Sequence, residues 1–125
     1  KPSMKTIFDD QLKEGKEILL LGKCIDVEKI MSFYFPRFDS IRKDKNITMK
    51  VIFDEEARKE KLGFPMAKIK YLSYAMSSSV CTYVYGNNVA LVLWNEDPIA
   101  TVIRQKDFAD NFRDQFNILW EIAKE

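Results

Sequence analysis

The sequence predicts an α/β domain with a single mixed sheet flanked by helices, and three observations carry that reading. A continuous apolar run, "EILLLG" at 17–22, sits between two segments of helical spacing. A second β segment, "ITMKVIF" at 47–53, is again bracketed by helical pieces, so strand and helix alternate through the first half. From residue 79 the pattern changes to three β segments joined only by turns, followed by one long amphipathic helix. Alternation implies parallel pairing through crossovers, and a meander implies antiparallel pairing, so one sheet holds both kinds.

The elements follow in order. Residues 4–15 read as a short polar helix ended by Gly15, which can take the left-handed cap conformation. Residues 17–22 read as a strand buried on both faces. Asp26 can cap a helix over 27–35 with Val27, Ile30, Met31 and Tyr34 on one face. Pro36 interrupts it, and a further helical piece over 37–44 turns Phe38 and Ile41 inward. In 47–53, Ile47, Met49, Val51 and Phe53 alternate with Thr48, Lys50 and Ile52. "DEEARKEKLG" reads as a charged helix ended by Gly63, its acids at the start and its bases toward the end. "AKIKYL" at 67–72 is the next strand, and Lys68 and Lys70 mark it as an edge. Segments 79–85, 88–94 and 98–103 are strands, with turns at "GNN" (86–88) and "NEDP" (95–98). A helix over 106–124 closes the chain with Phe108, Phe112, Phe116, Leu119 and Ala123 on its inner stripe.

Composition excludes several kinds of function. The chain has 125 residues, the size of one domain, and 46% are hydrophobic, enough for one sizeable core. Twenty basic and 19 acidic residues leave a net charge of +1, which argues against a protein that coats nucleic acid. There is no His, which removes Ser-His-Asp and Cys-His nucleophilic sites, His-ligated zinc and His acid–base chemistry. The four glycines are too scattered for a phosphate-cradling loop. Cys24 and Cys81 are isolated and read as two buried thiols, ahead of a disulfide or a metal pair. No run approaches a membrane helix, no signal peptide opens the chain, and there is no initiator Met. The expectation is therefore a cytoplasmic portion of a longer protein, with no membrane partner, cofactor or metal.

Four groups of residues could carry chemistry, and each has a plainer alternative. Glu96 and Asp97 could hold a metal, but adjacent side chains in a tight turn splay apart, and a solvated turn is preferred. "SSS" at 77–79 could bind a sugar or phosphate, or satisfy backbone groups in a loop. Tyr71, Tyr74, Tyr83, Tyr85 and Trp94 could stack on a flat ligand, although ordinary core positions explain them better. Trp120 lies beyond the main stripe of the last helix and could serve a dimer interface.

Residues 87–120, "NNVALVLWNEDPIATVIRQKDFADNFRDQFNILW", carry a resemblance. They resemble the effector domain of archaeal TrmB-type transcription regulators, which ends in a hairpin of the form vALVLW-x-E-x-P-xA-x-VI and a helix closing in F-x-x-LW. The matching residues are Ala90, Leu91, Val92, Leu93, Trp94, Glu96, Pro98, Ala100, Val102, Ile103, Phe116, Leu119 and Trp120. The upstream order fits more loosely, through "KEILLLGK" and "NITMKVIFDEEAR".

The resemblance implies a phospholipase D-like fold, of which this chain would be one half. Active members of that superfamily carry H-x-K-x4-D, and the three places fall near Ser79, Cys81 and Gly86 here, so no catalytic residue is carried over. Residues 1–15 would then be an N-terminal helix at the end of a linker, and 16–125 the regulatory domain. DNA would be contacted only through a separate winged-helix domain. The resemblance further implies a homodimer and a small-molecule effector, bound near the strand ends at Ser77, Ser78, Ser79, Thr82 and Trp94. Two competing readings are a phosphoester enzyme with Glu96 and Asp97 as metal ligands, and an assembly module that binds no ligand.

Overall fold

A computed structural model describes residues 4–23, 33–73 and 79–125. Its elements are α1 (Met4–Glu14), β1 (Ile18–Gly22), α2 (Phe35–Lys45), β2 (Met49–Asp54), a 3-10 helix (Glu55–Glu60), β3 (Ala67–Leu72), β4 (Val80–Tyr85), β5 (Asn88–Leu93), β6 (Ile99–Ile103) and α3 (Lys106–Ile122). The strands form one six-stranded sheet in the order β3-β2-β1-β4-β5-β6. β1, β2 and β3 are parallel, while β4, β5 and β6 form an antiparallel meander joined to β1. The fold is therefore the α/β class with one mixed sheet flanked by helices. Of the helix expected over 27–35, residues 27–32 and the cap Asp26 lie outside the described residues; Phe33 and Tyr34 form a turn, Tyr34 is the N-cap of α2, and Phe35 is its first residue.

Strand alternation divides the core in two. Ile18, Leu20, Met49, Val51, Phe53, Tyr83, Tyr85, Ala90, Val92 and Trp94 face α1 and α2. Leu19, Ile52, Val84 and Val89 face α3 with Ala109, Phe116 and Ala123. Val89 and Ala90 are both fully buried on opposite faces, because β5 pairs on both edges and is covered on both sides. Pro36 begins a helix here instead of breaking one: its missing N–H falls where a helix has no intrahelical partner to lose.

α3 spans most of its face alone. Its 17 residues extend about 25 Å, close to the width of six strands. The inner stripe is rotated from the expected one. Ala109 and Phe116 are buried and Phe112 is half-buried, but Phe108 is 52% exposed. Phe108 stands in the first turn, roughly 60–100° round the helix from the buried Ala109, Phe116 and Ala123, and so points away from the sheet. At the far end Trp120 packs within the chain. It stacks on Phe116 at 5.8 Å, and Lys70 Nζ lies 4.5 Å from its ring and donates to its carbonyl at 3.1 Å. Tyr71 and Lys124 then exchange backbone hydrogen bonds of 2.6 and 2.9 Å, which covers part of the β3 edge.

Two turn expectations change. The charged segment is a 3-10 helix with Asp54 as its cap, accepting from the Glu56 N–H at 3.2 Å. It ends at Lys61, in the left-handed region at φ +51°, and not at Gly63. The β4–β5 turn is Gly86-Asn87, since Asn88 already pairs with Tyr85; Gly86 has φ +58° and supplies the positive φ.

The expectation of two buried thiols is also corrected. Cys81 is fully buried but disulfide-bonded, and the chain's other cysteine, Cys24, lies outside the described residues. Spacing in sequence hid this, because β1 pairs antiparallel with β4 and sets Gly22 directly beside Cys81. The approach is tight: a Cβ on Gly22 would stand 2.8 Å from Cys81 Cα, 2.9 Å from its Sγ and 2.9 Å from the Val80 carbonyl oxygen. Gly22→Ala is therefore expected to destabilise the chain by about 1–3 kcal/mol, through strain in the β1–β4 ladder. Urea unfolding checks this; a midpoint equal to that of the natural chain would show that the ladder yields.

Candidate functional site

The expected ligand residues do not converge. Ser77 and Ser78 lie outside the described residues. Ser79 immediately precedes β4, and its carbonyl accepts the Trp94 N–H at 3.0 Å, which joins the mouths of β4 and β5. Thr82 stands opposite Leu91 and faces the α3 side, whereas Trp94 belongs to the core under α1 and α2. A ligand on one face of the sheet thus cannot touch both. Trp94 is 5% exposed and lies nearly parallel to Phe8 at 6.3 Å, as a core residue does. Glu96 and Asp97 are exposed in the β5–β6 turn, where Asn95 Oδ1 accepts the Asp97 N–H at 2.9 Å. Among the described residues no three His, Cys, Asp or Glu side chains gather as a metal site.

A concave site lies elsewhere, between α1, α2 and the sheet. It encloses about 30 Å³ and is walled by Phe8 of α1, Phe35 and Phe38 of α2, Tyr83 of β4, and Leu62 and Phe64 from the segment before β3. Its floor is Leu20, Met49 and Phe53. Phe8 is the hub of this wall, with the ring centroids of Phe35, Phe38 and Tyr83 at 5.3, 5.2 and 5.9 Å, all edge-on.

Gln11 is the polar group in the wall. The inner stripe of α1 is Ile7, Phe8, Gln11 and Leu12, at the spacing of one helix face. Three of the four are apolar, so Gln11 is carried into the core with them. It is fully buried, and neither its Oε1 nor its Nε2 has a hydrogen-bond partner. An unsatisfied buried amide group costs about 1–3 kcal/mol.

The charges around the cavity are already paired. Asp39 lines it, and its Oδ1 accepts from Arg42 Nη2 at 3.1 Å. Arg42 also donates through Nη1 to the Ile47 carbonyl at 3.0 Å and through Nη2 to the Pro65 carbonyl at 2.8 Å. Burial raises the Tyr83 hydroxyl well above the ordinary phenol range, so Tyr83 is neutral. The Trp94 indole N–H lowers it slightly by proximity, but its geometry falls short of a hydrogen bond. Beside the cavity, Asp10 of α1 accepts from the Tyr85 hydroxyl at 2.7 Å and from Arg104 Nη1 at 2.9 Å, which fixes α1 to β4 and to the end of β6. The arrangement can bind a small neutral molecule; it contains no nucleophile–base pair.

Sequence reasoning missed this site. Its one signal was Gln11, a polar residue at a core position of an amphipathic stripe. Asp39, Leu62 and Phe64 gave none, because only the fold brings them beside α1.

No protein-family model matches the chain, and no curated protein matches it. A solved structure of TrmBL2 has a similar fold; it is described as an archaeal chromatin protein that shows a novel mode of DNA binding. The superposition has a TM-score of 0.59 at 14% identity and covers 96% of this chain. This chain spans 50% of the length of that one. Among the described residues no helix is long and apolar enough to cross a membrane.

Proposed function

We propose that this chain is a non-catalytic regulatory domain of a TrmB-like archaeal transcription regulator, which pairs with a second copy and responds to a small-molecule effector. The observation that carries the reading is the likeness of nearly the whole chain to half of an archaeal chromatin protein described as binding DNA. DNA contact in this reading belongs to a separate winged-helix domain, and the regulatory domain has one half of a phospholipase D-like fold. A sequence without His, with Ser79, Cys81 and Gly86 at the places of that superfamily's catalytic residues, supports regulation over phosphodiester cleavage. Regulation would be a population shift: an effector favours one dimer geometry, and the attached DNA-binding domains respond to it.

Three large apolar side chains support pairing. Phe108, Ile118 and Ile122 are 52%, 67% and 61% exposed. At 100° per residue they fall within roughly a quarter of the α3 circumference, on its outer side. A symmetric dimer would bury this stripe against its own copy.

The test joins mass and ligand response. Light scattering of the purified chain is expected to give a dimer, and Ile118→Glu a folded monomer. A thermal-shift screen with sugars, nucleotides, phosphate metabolites, Mg²⁺ and Mn²⁺ is expected to give one metabolite-specific rise. Stabilisation by a divalent ion alone, lost in Asp97→Ala, would overturn the reading in favour of a metal-dependent enzyme. A dimer with no metabolite response would reduce it to an assembly module.

A further inference from the structure

We propose that the cavity between α1, α2 and the sheet is a binding site for a small neutral molecule that carries a carboxamide-like edge on a compact apolar body. The Gln11 amide is its polar anchor. The carbonyl and the N–H₂ of Gln11 are both buried and unpartnered in the wall of the same cavity. They present an acceptor and a donor side by side. The complementary edge is another donor beside another acceptor, as in a primary amide or a lactam, which would close two hydrogen bonds at once. Replacing an unsatisfied group by a paired one is the main energetic gain the site offers.

The remaining walls set the rest of the ligand. Phe8, Phe35 and Phe38 present apolar ring surface, which suits a flat or compact apolar body. An ion is disfavoured, because Asp39 and Arg42 already neutralise each other, Tyr83 is neutral and an unpaired charge in such walls is costly. The enclosed 30 Å³ admits about two waters, or the head of one amide. A larger body would displace the Phe35 or Leu62 side chains at the rim.

The position of the site gives binding a consequence, and this part rests on the regulatory reading above. The ligand would touch α1 through Gln11, α2 through Phe35 and Phe38, and β4 through Tyr83. Occupancy would therefore hold α1 against the sheet, and α1 is the element expected to lead toward a linker. The effector would act by fixing the direction of that helix.

Propionamide is the probe. Added to the ¹⁵N-labelled natural chain, it is expected to shift the Gln11 side-chain N–H₂ signals saturably, and to leave those of Gln105 and Gln115 in place. The melting temperature should rise by roughly 5 °C at ten times its Kd. Butan-2-one, which only accepts, should bind at least tenfold more weakly, and propionate should give no shift. Gln11→Leu should stay folded and lose the response. Should that variant fail to fold, Leu62→Trp, which fills the cavity and keeps Gln11, must lose it instead. Unmoved Gln11 signals at 0.1 M propionamide, as expected if water alone fills the space, overturn the proposal. An equal thermal response in Gln11→Leu or Leu62→Trp does the same. The regulatory reading is judged separately: a dimer that answers another metabolite while Gln11 stays silent keeps that reading and removes this site. Propionamide binding by a monomer with no metabolite response does the reverse.

Discussion

Phe8→Ala is expected to destabilise the chain by about 3–5 kcal/mol, the upper range for a buried aromatic truncated to Ala. Phe8 is 2% exposed, and its ring meets five others: Tyr34, Phe35, Phe38, Tyr83 and Trp94. Two terms add. The first is the transfer of a large apolar surface back to water in the unfolded chain. The second is the cavity left behind, and here it joins an existing one, because Phe8 already forms part of the wall around the 30 Å³ space. Collapse would require α1 to move inward. Asp10 opposes that movement through its bonds to Tyr85 and Arg104. The void should therefore persist and the cost should lie near the top of the range. Calorimetry should record a fall in melting temperature of roughly 10–20 °C. A loss below about 1.5 kcal/mol would mean that the neighbouring rings repack, and the hub role would be wrong.

Arg42→Met is the second large effect, expected at about 3–5 kcal/mol. The Arg42 side chain is fully buried, and it ties three separate stretches together: its own helix through Asp39, the entry to β2 through the Ile47 carbonyl, and the entry to β3 through the Pro65 carbonyl. Met fills comparable space but donates nothing. Two carbonyls and a carboxylate would lose their donor together. Next to Pro65, Met66 holds φ +54°, an uncommon conformation for a residue with a side chain, and its carbonyl accepts the Met49 N–H at 3.1 Å. Without Arg42 the segment before β3 loses one of its fixings, so cleavage between residues 61 and 66 should accelerate in a native-state protease assay. A double-mutant cycle with Asp39→Asn separates the ion pair from the carbonyl bonds. Stability within 1 kcal/mol of the natural chain, with no change in cleavage, would rule out this role.

The sheet was legible because strand signals depend on neighbours in sequence. Apolar runs and alternation at 17–22, 47–53, 67–72 and 79–103 match the six strands to within two residues. The change from crossovers to a meander foretold which strands would be parallel. Lys68 and Lys70 marked β3 as an edge, and it is one. That reading missed in three places. Phe108 sits at the margin of the apolar stripe, roughly 60–100° round the helix from the buried Ala109, Phe116 and Ala123, and so falls on the outer side. Lys61, not Gly63, ends the 3-10 helix: it takes the left-handed conformation itself, and its N–H bonds to the Arg58 carbonyl. Thr82 and Trp94 were grouped as strand-end neighbours, although alternation sends them to opposite faces.

By itself the sequence determined the class of fold, the mixture of parallel and antiparallel strands, the two-sided burial of β5 and the absence of histidine chemistry. Those properties follow from composition and from periodicities of two and about 3.6 residues, which any short window of the chain contains. Tertiary structure alone decided that Gln11 is buried without a partner, that Arg42 holds residues 39, 47 and 65, and that Gly22 stands against a disulfide-bonded Cys81. Each of these depends on which distant segments a side chain meets, and crossover connections and an antiparallel return set those meetings across tens of residues. Local spacing holds no record of them.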